Sequence, residues 1–313
     1  MSPTPKRTEF KKPLITPLPM KNRAPFVHVD RGAIHVLDNA FVVTDVNGTR
    51  EHIPVGAVGA VIIAEPGTTV SHKALQLASQ TGTIIISSGE QGVRFYSFGS
   101  SYSSKSYRMY RQAALALDPV SRVKVARAMF KYRFGEDSLA VDDLTIEQLR
   151  GMEGVRVRTL YTQIAKMHRV RWTGRNYNRE NFGESDEQNQ ALSAATACLY
   201  GVAECAILAS GLSPAFGFVH CGSTRSFVFD VADLFKTDVV NVAFRVVGRG
   251  SFDIPGDVRR ECRDVFAEKK IMQKIVGVMD EMLDAGGLDD YKFSDDMILI
   301  HEPNEAETAE SWL

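Results

Sequence analysis

The sequence predicts an α+β chain: a small β-rich N-terminal domain followed by a larger α-helical domain. Three observations predict it. Apolar residues follow a strand-like pattern to about residue 97 and a period near 3.6 from about residue 107. A glycine- and serine-rich stretch, 99–106, separates the two regimes and reads as a linker. The 313 residues are 44% apolar and 24% charged, an ordinary globular mixture long enough for a sizeable core. That composition excludes a wholly disordered chain, a collagen and a small disulfide scaffold.

Residues 1–25 hold six of the 12 prolines and read as an extended arm. The β-rich domain is expected over 26–103. Phe41-Val42-Val43 leads into Asn47-Gly48, a strong hairpin signal. The apolar run 58–63 suits a buried strand. Ser71 is placed to cap a short helix carrying Ala74, Leu75 and Ala78, with Gly82 past its end. Stretches 83–87 and 93–97 read as further strands. The helical domain is expected over 104–285, with helices at 107–117, 120–134, 145–167, 189–210, 231–235 and 258–283. Leu115, Val123, Met129 and Phe130 are its expected core positions, and Gly286-Gly287 ends its last helix. Residues 286–313 form an acidic tail.

Residues 191–219 carry a single charge, Glu204, and invite a test as a membrane span. They are rich in Ala, Ser and Thr and broken by Gly211 and Pro214. A carboxylate near the middle would be costly in lipid, so a buried core helix is the reading. The basic, proline-rich N-terminus lacks the apolar segment of a signal peptide. Cys198, Cys205, Cys221 and Cys262 form no C-x-x-C pair, which argues against a zinc ribbon or a dithiol redox site. Reduced thiols and a cytoplasmic location, with no membrane association, are expected.

The net charge of −1 hides an asymmetry. From Asp280 onward there are 11 acids and one base, a net of −10, which leaves +9 on residues 1–279. Eight bases and one acid fall within 105–133, and eight bases and two acids within 150–180. Such clusters are the electrostatic footprint of a polyanion-binding surface, although most charge runs are solvated helix faces. Tyr107, Tyr110, Tyr132, Tyr161 and Tyr177 interleave with them, which favours nucleic acid.

Asp230 and Asp233 stand three apart in DVADLFK, a spacing that puts both carboxylates on one helix face. His220 precedes the loop CGSTRS, and Glu153 lies near the start of a long basic helix. Together, three carboxylates and an imidazole suit an oxygen-preferring ion such as Mg²⁺ or Mn²⁺. Taken singly, Asp230 reads as a helix N-cap, Asp233 as a solvated first-turn acid, His220 as a hydrogen-bonded loop residue and Glu153 as a first-turn acid. Spacing alone leaves both readings open.

The segments RGMEGVRVRTLY, ACLYGVAECAILASGLSPAFGFVH and SFVFDVADLFK resemble the Cas-one endonuclease family, the integrase of CRISPR adaptation, in the form found with Cascade-type (type I-E) systems. IPVGAVGAVII, EPGTTVSH and SGEQGVRFY extend the resemblance into the N-terminal region, so that it covers nearly all of 15–285. The resemblance implies a β-sheet N-terminal domain and an α-helical catalytic domain. It implies metal ligands at Glu153, His220 and Asp233, a further essential acid at Asp230, and Mg²⁺ or Mn²⁺ as cofactor. DNA contacts are implied at Arg94, Arg150, Arg156, Arg158, Tyr177, Tyr200 and Arg259. Where close relatives carry a tyrosine wedge against the duplex end, this chain has Arg31.

The implied activity is insertion of short DNA fragments into a repeat array. A fragment 3′-hydroxyl attacks a target phosphodiester, a transesterification that needs no external energy. The implied substrates are double-stranded fragments with 3′ overhangs and CRISPR repeat-array DNA. The implied assembly is a homodimer, two dimers flanking one dimer of a small ferredoxin-like partner. The apolar island Met297-Ile298-Leu299-Ile300 in the acidic tail is the segment expected to grip that partner, by adding a strand to a sheet edge. A structure-specific repair nuclease and a non-catalytic DNA-binding scaffold are the alternative readings.

Overall fold

The structure is a computed structural model and describes residues 24–29, 31–54, 56–63, 67–89, 94–98, 106–135, 144–175 and 186–288. The arm to residue 23, most of the linker, Tyr177, and the tail with Met297, Ile298, Leu299 and Ile300 lie outside the described residues. The N-terminal region has eight described strands and one helix: β1 Ala24–Val29, β2 Gly32–Leu37, β3 Ala40–Asp45, β4 Arg50–Pro54, β5 Val58–Ile63, β6 Thr69–Val70, α1 His72–Thr81, β7 Ile84–Gly89 and β8 Arg94–Phe98. They form two four-stranded sheets, ordered β1-β5-β7-β8 and β4-β3-β2-β6. In the first sheet β1, β5 and β7 run parallel and β8 is antiparallel.

The expected hairpin at Asn47-Gly48 joins β3 to β4. The Asp45 carboxylate accepts the backbone N–H groups of Asn47 and Thr49, both at 2.8 Å, and Gly48 takes the left-handed conformation at φ 84°. A second hairpin, β2–β3, turns through Asp38 and Asn39, both left-handed. Ser71 caps α1 and Gly82 ends it at φ 65°. β1 begins at Ala24, just inside the expected arm.

Every residue of β5 is buried because the first sheet is a middle layer. Ala60, Ile62, Ile84 and Ile86 face the helical core. Val61, Ile63 and Ile85 face Ile34, Phe41, Leu77 and the rest of the second core. A strand covered on both faces has no need of polar alternation, which explains the unbroken apolar run. The two sheets of the β-rich region therefore share one core, and the first of them also belongs to the helical core.

The helices are α2 Ser106–Leu117, α3 Pro119–Phe134, α4 Ile146–Met167, α5 Glu187–Ala209, α6 Ser226–Leu234, α7 Lys236–Gly248, α8 Ile254–Glu268 and α9 Ile271–Asp284. Among the described residues α5 is the helix long and apolar enough to cross a membrane, but 78% of its most apolar window is buried within the protein. It packs on α6, α7, α8, α9 and β5. Gly201 permits the close approach to the sheet, since a Cβ there would meet Ile62 Cδ1 at 2.9 Å.

The sequence reading needs four corrections in this half. The helix expected over 258–283 is two helices, broken at Lys269-Lys270, with Lys270 left-handed at φ 53°. The helix expected at 231–235 starts at Ser226. α7 was not anticipated. Val123 is half-buried, and its neighbours Val125 and Ala126 fill the core beside Leu115, Met129 and Phe130.

Candidate functional site

The loop between α5 and α6 carries His220, and its backbone has few ladder partners of its own. Polar side chains from three helices supply them. Gln112 of α2 is fully buried; its amide oxygen accepts from Ser213 N–H at 2.7 Å, and its amide nitrogen donates to the carbonyls of Ser213 and Phe216 at 2.9 and 3.0 Å. Arg122 of α3 donates from Nε to the Phe218 carbonyl at 2.8 Å, and its Nη2 reaches Cys221 Sγ. Asp230 of α6 completes the set. Its carboxylate accepts the N–H groups of Phe218, Val219 and His220 at 2.6, 3.1 and 2.9 Å.

Asp230 is therefore no N-cap. It sits inside α6 with its side chain fully buried and reaches back to the preceding loop. The same carboxylate lies 2.7 Å from His220 Nδ1. With Nδ1 donating to Asp230, Nε2 is the nitrogen left to accept or ligate. That hydrogen bond is the main cause holding the imidazole pKa above its ordinary 6.5; burial opposes it, and the charges of Asp230, Asp233 and Glu153 add to it.

His220, Asp230, Asp233 and Glu153 line one cleft of about 260 Å³ with Arg133 and Met129. Glu153 stands at the eighth residue of α4, beyond the first turn where the sequence reading placed it. Asp233 is not a solvated acid either: its side chain is 14% exposed and lies 2.7 Å from Lys236 Nζ. Arg133, near the end of α3, pairs with Glu153 and stands 3.8 Å from Asp233 Oδ2. Burial would lower the Lys236 ammonium, but Asp233, with Tyr200 and Tyr161, raises it well above the usual lysine value.

As these side chains stand, no three His, Cys, Asp or Glu groups among the described residues are placed to hold a metal ion. Arg133 is interposed between two of the acids. The donor set itself fits a hard divalent ion: two carboxylates and an imidazole nitrogen face one part-buried space from α4, the loop and α6.

The model of the CRISPR associated protein Cas1 family matches residues 26–136 and 136–281. The chain belongs to the Cas1 family. It is 46% identical over 278 residues to the CRISPR-associated endonuclease Cas1 of Geobacter sulfurreducens, covering 88% of this chain and 90% of that one. Identity to the Escherichia coli K12 endonuclease Cas1 is 46% over 273 residues, covering 87% and 88%. The crystal structure of TtCas1 superposes with a TM-score of 0.76 at 33% identity, over 84% of this chain and 98% of that one. A β-sheet N-terminal region and a mostly helical remainder are thus the Cas1 architecture.

The remaining positions that the sequence resemblance implies are spread more widely. Arg150, Glu153 and Arg156 are spaced three apart and form one row on α4. Arg150 and Arg158 are exposed, whereas Arg156 lies over the Phe134 ring at 5.0 Å. Tyr200 of α5 packs against Phe229 at 5.2 Å, and Phe229 in turn meets the His220 ring edge-on at 5.8 Å. Arg259 is on α8, which packs on α5, α7 and β1, and it does not line the cleft. Arg94 opens β8 at the edge of the first sheet; its side chain lies outside the described residues, as does Tyr177.

Sequence reasoning missed Arg133, Lys236, Arg122 and Gln112. Lys236 was within reach, three residues after Asp233 in DVADLFK. The other three act across 20 to 104 residues of sequence, and nothing local marks them. Buried Glu204, met in the sequence as a lone charge, pairs with Arg225 at 2.9 Å, and Arg225 also lies over the Tyr200 ring at 5.5 Å.

Proposed function

We propose that this chain is a metal-dependent DNA integrase and endonuclease of CRISPR adaptation. It joins the 3′-hydroxyl ends of short duplex fragments to repeat-array DNA. The observation that carries the reading is the meeting of Glu153, His220, Asp230 and Asp233 in one cleft from separate elements of the chain. Glu153, His220 through Nε2, and Asp233 are the residues that would hold Mg²⁺ or Mn²⁺. The bound ion would lower the pKa of the attacking hydroxyl and offset charge on the phosphoryl oxygens.

Asp230 does not need to touch the ion to be essential. It fixes the imidazole tautomer and the backbone of Phe218 to His220 together. Lys236 keeps a positive charge beside the cleft that suits a phosphodiester. The Arg150 and Arg156 row flanks Glu153 and suits the fragment backbone, as do Arg158, Arg94 and Arg259 farther out. Tyr200 and Tyr177 are the proposed aromatic contacts along the DNA path.

The relative TtCas1 has been solved as a DNA complex, and a chain of this fold occurs in a Cas6-RT-Cas1–Cas2 complex. We extend both partners to this chain: DNA, and a small Cas2-type dimer flanked by two homodimers and gripped by Met297, Ile298, Leu299 and Ile300. The test combines purified protein, partner, a fragment with 3′ overhangs and a supercoiled array plasmid with Mg²⁺ or Mn²⁺. Joined products are expected from the parent and none from Asp233→Ala. Joining at the parent rate by a folded Asp233→Ala variant overturns the assignment.

A further inference from the structure

The cleft holds three carboxylates, Glu153, Asp230 and Asp233, and its cations come from the chain itself. Asp230 is taken up by three backbone N–H groups and His220. Asp233 has Lys236 at 2.7 Å. Glu153 has Arg133, whose side chain is only 10% exposed and whose Nη1 also stands 3.8 Å from Asp233 Oδ2. The guanidinium thus lies between the two acids that face the cleft from α4 and α6. Among the described residues no three donors are placed around an ion.

We propose that Arg133 is the internal counter-cation of this cleft, holding Glu153 and Asp233 apart until a divalent ion takes its place, and so sets how tightly that ion binds. The inference rests on the metal reading above. A doubly charged ion and a guanidinium cannot share one pair of carboxylates at contact distance in a part-buried site without strong repulsion. The side chain has a second partner beside it. It projects from the last turn of α3, just before Gly135, and its Cζ already lies 5.0 Å from the Phe134 ring, the same ring that Arg156 covers. Stacking there lets it keep a partner after releasing Glu153. Arg133 is on this account a positioning residue that tunes ion affinity, and not a ligand.

The experiment measures Mn²⁺ binding to the full chain by electron paramagnetic resonance of the free ion, at fixed pH and salt. Arg133→Gln, and Arg133→Met as a second neutral variant that keeps the packing, should bind Mn²⁺ on the order of tenfold tighter than the parent. Arg133→Lys, which keeps the charge, should stay near the parent. Mn²⁺ should also raise the Tm of the neutral variants more than that of the parent, because only the folded state binds it. Unchanged or weaker binding in both neutral variants overturns the proposal. Asp233→Ala separates the two failures. If it binds Mn²⁺ like the parent, the metal reading fails and the Arg133 proposal with it. If it abolishes binding while the neutral variants match the parent, only the Arg133 proposal fails.

Discussion

The first sheet is buried and the His220 loop is half-buried, and opposite chemistry holds them. β5 and β7 are fixed by Ala60, Ile62, Ile84 and Ile86 on one face and Val61, Ile63 and Ile85 on the other, with backbone groups paired in the ladder. The loop has no ladder. Its backbone groups at Ser213, Phe216, Phe218, Val219 and His220 are paired by Gln112, Arg122 and Asp230. An apolar contact is non-directional, and its loss costs in proportion to area. A buried polar anchor is directional, and its loss strands every group it served. The chain uses the first to stack layers and the second where one imidazole must point one way.

The comparison breaks most sharply at Asp230. Asp230→Ala leaves three backbone N–H groups and His220 Nδ1 without their acceptor, and should cost about 3–5 kcal/mol in urea unfolding. It should abolish joining as well, because the imidazole loses its orientation. Asp230→Asn keeps one acceptor oxygen and should lose less stability while still impairing joining. Equal unfolding midpoints for parent and Asp230→Ala would show that the carboxylate does not anchor the loop.

The sheet gives the contrasting case. Ile62→Ala removes a side chain 2% exposed from the interface with α5 and should cost about 2–4 kcal/mol. Joining by the folded fraction should be unchanged, because Ile62 does not line the cleft. Gln112→Met, a smaller change, should cost about 1–3 kcal/mol by stranding three loop contacts. Here joining should fall further than stability does. If Ile62→Ala and Gln112→Met lowered joining in the same ratio to stability, the two regions would not differ as argued.

The same contrast explains what the sequence disclosed. Alternation, the Asn47-Gly48 turn, the Ser71 cap and the apolar run of β5 are local signals of local causes, and each reading survived. The α8–α9 break was invisible because a lysine, Lys270, takes the left-handed conformation where glycine would have announced it. α6 was read short because its start at Arg225 lacks a side-chain cap. The four acidic and imidazole positions were legible as residue types, and family resemblance selected them. Apart from Lys236, their partners were not. Asp230 looked like a cap because capping is the commonest local use of an aspartate near a helix start. Its actual use depends on where the α5–α6 loop passes, which is a tertiary fact.

The smallest expected effect is on pH, and it isolates a single bond of the loop. The Asp230 hydrogen bond raises the His220 pKa above 6.5 in the folded protein, against the opposing pull of burial. A raised folded-state value means that folding favours the protonated imidazole. That contribution is fully present below the unfolded value of 6.5 and fades as pH rises through the folded value. In the presence of a chelator, the stability difference between parent and His220→Asn should therefore shrink as pH rises from below 6.5 through the folded His220 value. A difference that stays constant over that range would remove the titration from the loop. Joining should move the other way, since a protonated Nε2 has no lone pair for the proposed ion. Below the folded His220 pKa the loop is at its firmest and the reaction at its slowest, so the two curves should cross in opposite directions over one pH interval.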